Sequence, residues 1–214
     1  MPKGKSLVEK INENVAGINL GFVSMFVYKN GSNTICIDTG VNTRDVEEAF
    51  NELKIDPGSV NAVLLTHSDR DHTGGLKLFA NAKVLMSEEE EQMINGTTAR
   101  FLKLIHNKKP ECTLIFKKDG DEFNLGDISV KCIGTPGHTP GSMSYLINGK
   151  YLFAGDILNF KNGKAVMDRS FLQMDKKLQE ESIRKLARLQ GIELLFTAHT
   201  GFTGDFKKAM ENWI

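Results

Sequence analysis

Cysteine is scarce in this chain. Cys36, Cys112 and Cys132 are odd in number and widely spaced, which argues against a disulfide framework. Cys36 and Cys132 sit inside strand-like apolar runs, where a thiol acts as a small hydrophobe, and none of the three reads as a nucleophile. Excess charge is missing too: 27 Lys and Arg balance 27 Asp and Glu, so net charge does not indicate a nucleic-acid partner. No apolar run approaches the length of a membrane span, and Met1 to Lys10 contains no apolar signal segment. A cytoplasmic location and no membrane partner are expected. Linkers, low-complexity segments and short-period repeats are also absent, so one domain over 1–214 is expected, compatible with a homo-oligomer. Hydrophobic residues at 40 % supply an ordinary core.

What the chain does have is concentrated in residues 66–75, Thr-His-Ser-Asp-Arg-Asp-His-Thr-Gly-Gly, directly after the apolar run Ala62 to Leu65. The run reads as a buried strand, so the polar segment begins where that strand leaves its sheet. Alternation aims His67 and Asp69 to one side, and the following turn brings Asp71 and His72 back toward them. Imidazole and carboxylate together suit zinc, iron or manganese better than calcium or magnesium, which prefer oxygen alone.

The rest of the chain supplies strands in two groups, each with helices after it. Phe22 to Tyr28 and Thr34 to Asp38 read as an opening hairpin about Asn30-Gly31, followed by a helix capped by Thr43 with Val46, Ala49, Phe50 and Leu53 on one face. A short helix is expected over Leu76 to Ala80 and a strand over Lys83 to Met86. Ser87 and Glu90 have the spacing of a capping box, and residues 88–109 read as an interrupted helical insertion. Strands follow at Thr113 to Phe116, Glu122 to Leu125, Ile128 to Ile133, Met143 to Ile147 and Tyr151 to Ala154. An amphipathic helix then presents Leu178, Ile183, Leu186 and Leu189 and stops at Gly191; Glu193 to Thr197 reads as the last strand and Asp205 to Trp213 as a closing helix. The repeated order suggests two sheets face to face with helices outside and polar loops along one edge.

Taken singly, His138 between prolines or Asp156 after a strand is more often structural than chemical. Jointly, the 67–72 segment, His138, Asp156 and His199 each stand after a strand and near a glycine, the recurrence a multi-element metal site needs. The motifs are Ile37-Asp38-Thr39-Gly40, the His67 to His72 segment with Gly74-Gly75, Thr135-Pro-Gly-His138-Thr-Pro-Gly-Ser142, Phe153-Ala-Gly-Asp156 and Ala198-His199-Thr200-Gly201. In number and order the chain resembles the metallo-β-lactamase superfamily over nearly its whole length. The resemblance implies a four-layer αββα sandwich of two mixed sheets with a binuclear metal centre at one edge. It implies His67, Asp69 and His138 at a first metal, Asp71, His72 and His199 at a second, Asp156 bridging, and Asp38 bracing the ligand segment.

Asp69 departs from the family, most of whose hydrolases place His there. Two divalent ions, three carboxylates and a bridging hydroxide sum to zero charge, against +1 with His. On that count the hydroxide becomes more basic, anionic substrates are attracted less, and iron or manganese becomes more acceptable. The resemblance implies hydrolysis of an ester, thioester, lactone or phosphodiester-type small molecule, with two divalent ions, zinc foremost, and Asp71 orienting the nucleophile. A glyoxalase II-like thioesterase carries a further C-terminal helical region that this sequence does not contain. The alternative is a diiron oxygen or nitric oxide reductase related to flavodiiron proteins, whose acidic ligand Asp69 resembles, with electrons from a separate partner. Residues 88–109 and 157–172 are expected to frame the pocket, with Phe160, Met167 and Phe171 as apolar walls and Met93, Phe101 and Leu104 lining it or seating the insertion. His106 is expected at the surface.

Overall fold

A computed structural model describes residues 6–100, 105–167 and 172–214. The first sheet is built from β1 (Val8–Lys10), β2 (Val15–Asn19), β3 (Ser24–Asn30), β4 (Asn33–Ile37), β5 (Ala62–Leu64), β6 (Lys83–Ser87) and β7 (Leu114–Lys117), neighbouring in that order. β1 to β4 pair antiparallel and β4 to β7 parallel. The second sheet draws on β8 (Glu122–Leu125), β9 (Ile128–Gly134), β10 (Met143–Ile147) and β11 (Tyr151–Phe153). After a small separate pair, β12 (Asn159–Lys161) and β13 (Lys164–Val166), it is completed by β14 (Leu194–Thr197) and β15 (Gly201–Thr203), in the order β15-β14-β11-β10-β9-β8. Only β11 and β14 run parallel there.

Strand alternation explains the layers. In β3, Phe26 and Tyr28 face the second sheet while Met25 and Val27 face outward; in β10, Tyr145 and Ile147 face inward and Leu146 outward. The inner layer centres on Phe26, Phe153 and Phe196, with ring centroids 4.4 to 5.5 Å apart. Each such ring is worth roughly 1.5–3 kcal/mol of burial. On the outer face of the first sheet lies α1 (Thr43–Leu53), seated by Val46, Ala49 and Phe50. α2 (Arg70–Thr73) and α3 (Glu91–Ile94) are single turns, whereas α4 (Lys176–Ala187) and α5 (Phe206–Met210) cover the second sheet through Ile183, Leu186, Phe206 and Met210. The result is the expected αββα sandwich.

Several local expectations are corrected. β1 and β2 precede the predicted opening hairpin, and β15 follows the predicted last strand. Asn42, not Thr43, caps α1, its side chain accepting from Asp45 N–H at 3.0 Å. Leu178 is exposed and its neighbour Gln179 faces inward, donating to the Ile157 carbonyl at 2.9 Å. The helix expected over Leu76 to Ala80 is a 3-10 turn over Leu76–Leu78, preceded by α2 inside the ligand segment itself. Ser87 accepts from Glu89 N–H, but Glu90 does not reach back to complete a capping box; its carboxylate turns into the protein. Residues 88–100 are accordingly no surface insertion: Glu90 and Met93 are fully buried.

Candidate metal centre

β4 is followed directly by Asp38, which takes the left-handed conformation at φ 59°. Asp tolerates that region better than most residues, and the turn places its carboxylate beneath the loop after β5. Asp38 Oδ1 accepts from Thr66 N–H at 2.8 Å, and Oδ2 from Thr66 Oγ1–H at 2.9 Å and from His72 Nδ1–H at 2.8 Å. Asp69 then starts α2, its carbonyl accepting from His72 and Thr73 N–H, so His72 is wound inward while Asp71 stays toward solvent. The backbone behind α2 lies against the turn after β4: a Cβ at Gly74 would stand 1.9 Å from the Val41 carbonyl oxygen, and at Gly75 2.3 Å from that of Thr39. Glycine is required there for contact, not for conformation.

The His138 loop is fixed from three sides. Asp175 N–H reaches the Gly137 carbonyl at 2.8 Å, Thr135 N–H bonds the Ser142 carbonyl at 2.8 Å, and Glu90 enters from the first sheet. Glu90 Oε1 accepts from Ser68 N–H (2.9 Å) and Ser68 Oγ–H (2.7 Å); Oε2 accepts from Thr139 Oγ1–H (2.7 Å) and Gly141 N–H (3.1 Å). One buried carboxylate thus ties the residue after His67 to the residue after His138.

The four imidazoles share one arrangement. Nδ1–H of His67 donates to Thr66 Oγ1 (3.0 Å), that of His72 to Asp38, that of His138 to Gln173 Oε1 (3.1 Å), and that of His199 to the Phe22 carbonyl (2.6 Å). The tautomers follow from these partners. Every Nε2 therefore points into one space, with Asp156 in its middle. Asp156 Oδ1 lies 3.3 Å from His72 Nε2, and Oδ2 lies 2.9 Å from His199 Nε2, 3.5 Å from His138 Nε2 and 3.9 Å from His67 Nε2. Asp69 Oδ2 stands 3.3 Å from His138 Nε2 and 3.5 Å from His67 Nε2; Asp71 Oδ2 stands 3.6 and 3.8 Å from His72 and His199 Nε2. Ligand-type atoms within 4.8 Å of one another form three groups: His67, Asp69 and His138; His67, His72 and Asp156; and Asp71, His72 and His199. All seven site residues named from the sequence come together.

The electrostatics favour a cation. Burial would raise the Asp156 carboxyl, but His72, His138 and His199 outweigh it and hold it well below the usual carboxylate range. For Asp69 burial is likewise outweighed, by His67, His138 and Arg100. His72 is raised well above its ordinary value by Asp156 and Asp38 despite burial, and His199, against burial, is raised to about 9 by Asp156 and the Phe22 carbonyl. Positive charge on these rings compensates the carboxylates, and a metal ion would supply the same compensation. His67 Nε2, His72 Nε2 and Asp156 Oδ1 are buried without any hydrogen-bond partner. Such orphaned atoms are costly unless something binds them, so the donor set fits divalent metal.

Three contributors had no sequence signal. Arg100 is buried, its Nη1 2.7 Å from Asp69 Oδ2 and 3.2 Å from His138 Nε2, and its Nη2 donating to the Leu172 carbonyl at 2.6 Å. Asn107 Nδ2 donates to Asp69 Oδ1 at 2.8 Å and to Ser68 Oγ at 2.7 Å. Phe22 is 63 % exposed and stacks parallel to His199 at 6.2 Å. The cleft over the centre, about 540 Å³, has its apolar wall from Phe22, Ile105 and Leu172. Phe160 and Met167 are corrected: they pack against the outer core under α4 and do not line this cleft. Met93 is buried away from it and His106 is exposed; Phe101, Leu104 and Phe171 lie outside the described residues.

Known proteins share the fold and the family of this chain. A probable metallo-hydrolase of Methanocaldococcus jannaschii is 30 % identical over 172 residues, 78 % of this chain and 71 % of that protein. A hydroxyacylglutathione hydrolase of Hahella chejuensis is 29 % identical over 163 residues, 74 % of this chain but only 55 % of its own length, so the chain spans about half of that relative. Among solved structures, a B3 metallo-beta-lactamase with an active-site glutamic acid superposes at TM-score 0.75, with 20 % identity, covering 97 % of this chain and 87 % of its own. An archaeal metallo-beta-lactamase superfamily protein from Sulfolobus tokodaii superposes at 0.71, with 23 % identity, covering 94 % and 84 %. Among the described residues no helix is long and apolar enough to cross a membrane. The profile of the metallo-beta-lactamase superfamily matches residues 18–199, and with that match, the sandwich and the histidine edge in view, the chain belongs to this superfamily.

Proposed function

We propose that this chain is a binuclear metal-dependent hydrolase, with zinc as its first-choice metal, acting on the acyl bond of a small thioester or ester. The observation that carries the reading is the convergence of four pre-oriented Nε2 atoms on Asp156, with His67 Nε2, His72 Nε2 and Asp156 Oδ1 buried and making no hydrogen bond. His67, Asp69 and His138 would hold one ion, Asp71, His72 and His199 the other, and Asp156 both. Two such ions would supply a polarised carbonyl and a nucleophile from water at neutral pH.

The chain's own groups do the rest. Asp71, on the solvent side of its group, would orient the attacking water while serving as a ligand. Phe22, Ile105 and Leu172 seat an apolar acyl or linker portion and keep bulk water from the reacting carbon. The thioester preference draws on relatives named hydroxyacylglutathione hydrolase; lactones and phosphodiesters are the comparison substrates. The charge count made from ligands alone leaves out Arg100, whose Nη1 stands 2.7 Å from Asp69 Oδ2 and balances that carboxylate before any ion is bound. The redox alternative rested on an acidic Asp69, and a carboxylate already neutralised by Arg100 gives it no added support.

The test is zinc content of the purified protein, then hydrolysis of an S-hydroxyacyl glutathione beside a lactone and a phosphodiester. About two zinc per chain with thioester turnover, abolished in Asp71→Ala, is the expected result. Full zinc loading with no turnover of any acyl substrate overturns the hydrolase reading.

A further inference from the structure

The two halves of the centre are not equivalent, and Arg100 is the reason. Its Nη1–H groups are directed at Asp69 Oδ2 (2.7 Å) and His138 Nε2 (3.2 Å), two of the three donor atoms that a first ion would need. The remaining Asp69 oxygen accepts from Asn107 Nδ2. The arginine is held for this purpose at both ends: Arg100 N–H bonds the Ile105 carbonyl at 2.7 Å with the return bond at 3.2 Å, and Nη2 bonds the Leu172 carbonyl. At 4 % exposure the guanidinium is largely removed from water, so its attraction to Asp69 is little screened. In the other half, Asp71 and Asp156 pair only with imidazoles among the described residues, none of whose lysines or arginines stands within ion-pair distance of them.

A lone pair that accepts a guanidinium proton cannot at the same time bind a metal. We propose that the Arg100 guanidinium stands in for the first metal ion, so that the centre takes up its two ions in separate steps, the Asp71, His72, His199 and Asp156 position first. The first position fills only when Arg100 swings off Asp69 and His138. Singly loaded protein then carries an Asp69 still neutralised by Arg100. This rests on the metal reading above and adds an order and a competitor to it.

The experiment is equilibrium dialysis of metal-free protein against chelator-buffered zinc, with zinc per chain measured by elemental analysis, for wild type and Arg100→Met. Wild type is expected to show a plateau near one zinc and a second rise at free zinc at least about tenfold higher. Arg100→Met is expected to rise to two in a single step, its first position tightened by that factor. A single rise to two in wild type, or two unchanged plateaus in Arg100→Met, overturns the inference and leaves the binuclear reading standing. No zinc retained by either protein at saturation overturns both. Should Arg100→Met fail to fold, Asp69→His removes the anchor instead: one rise to two supports the competition, and a retained plateau at one refutes it.

Discussion

Glu90 offers a sharp test of how the ligand loops are held, because its carboxylate accepts from Ser68 on one side and from Thr139 and Gly141 on the other. Each oxygen faces one backbone N–H, which cannot reorient, and one hydroxyl, which can. In Glu90→Gln the side-chain NH2 must therefore face either Ser68 N–H or Gly141 N–H, whichever way the amide is turned. One buried backbone donor is left unpaired, costing about 1–3 kcal/mol, and the other bonds lose their charge assistance. The sum is a loss of about 2–4 kcal/mol for Glu90→Gln and about 3–5 kcal/mol for Glu90→Ala, which leaves all four donors without their acceptor. The assay is urea unfolding of the metal-free proteins, with exposed Glu89→Gln as a control expected within about 0.5 kcal/mol of wild type. Zinc uptake should weaken about 10- to 100-fold in Glu90→Gln, since Ser68 and Thr139 flank His67 and His138. A Glu90→Gln protein as stable as the Glu89→Gln control, with unaltered zinc uptake, would refute the reasoning.

Gly74→Ala should prevent folding or lower the thermal midpoint steeply, since its Cβ would meet the Val41 carbonyl oxygen at 1.9 Å and force backbone, not a flexible side chain, to shift; a midpoint within a degree or two of wild type contradicts this. On α4, Ile183→Ala should cost about 2–5 kcal/mol by chemical denaturation and Leu178→Ala about 0.5 or less, because the first is fully buried and the second exposed; equal costs would mean the helix face is misassigned. Burial works against the Asp119 charge, but Lys185 and the Gly134 and Gly120 N–H groups hold its carboxyl below the usual value. A depressed carboxyl stabilises the fold above its unfolded pKa of about 3.9 and loses that contribution as pH falls through the folded value. Asp119→Asn should thus be slightly less stable at pH 7 and flatter in stability below about pH 5, and an unchanged acid limb in denaturation profiles would count against it.

The candidate site was legible because each part is local chemistry at a strand end: the bracing Asp38 and the candidate ligands His67, His138, Asp156 and His199 all follow a short apolar run. Arg100 and Asn107 were not, since their role exists only across the 69–100 and 69–107 contacts, and neither neighbours a motif. Glu90 misled for a related reason. Its spacing from Ser87 suits a capping box, yet two ligand loops lacking an acceptor drew the carboxylate inward. β1 and β15 are three residues each and, unlike the equally short β5 and β11, are not apolar throughout, so no run marks them. The supposed walls Phe160 and Met167 are apolar residues in the right stretch of chain, but β12 and β13 form a separate ribbon that carries them to the outer core.

The division of the candidate ligands between the sheets has a consequence for assembly. His67, Asp69, Asp71 and His72 follow β5, whereas His138, Asp156 and His199 follow β9, β11 and β14. The seam between them is narrow along this edge: Ser24 N–H to the Ala198 carbonyl at 2.7 Å, Met143 N–H to the Thr66 carbonyl at 2.9 Å, and Tyr145 Oη–H to the Leu65 carbonyl at 2.8 Å. An ion shared by Asp156 and His72 would rivet one half of the polypeptide to the other, and would do so only after the halves have docked. Occupancy would therefore leave the rate of docking untouched while slowing separation, raising stability by RT ln(1 + [L]/Kd), about 2.7 kcal/mol at a hundredfold excess over Kd. Amide exchange along β5 and β14 would report the rivet as slower opening of the two sheets as a unit.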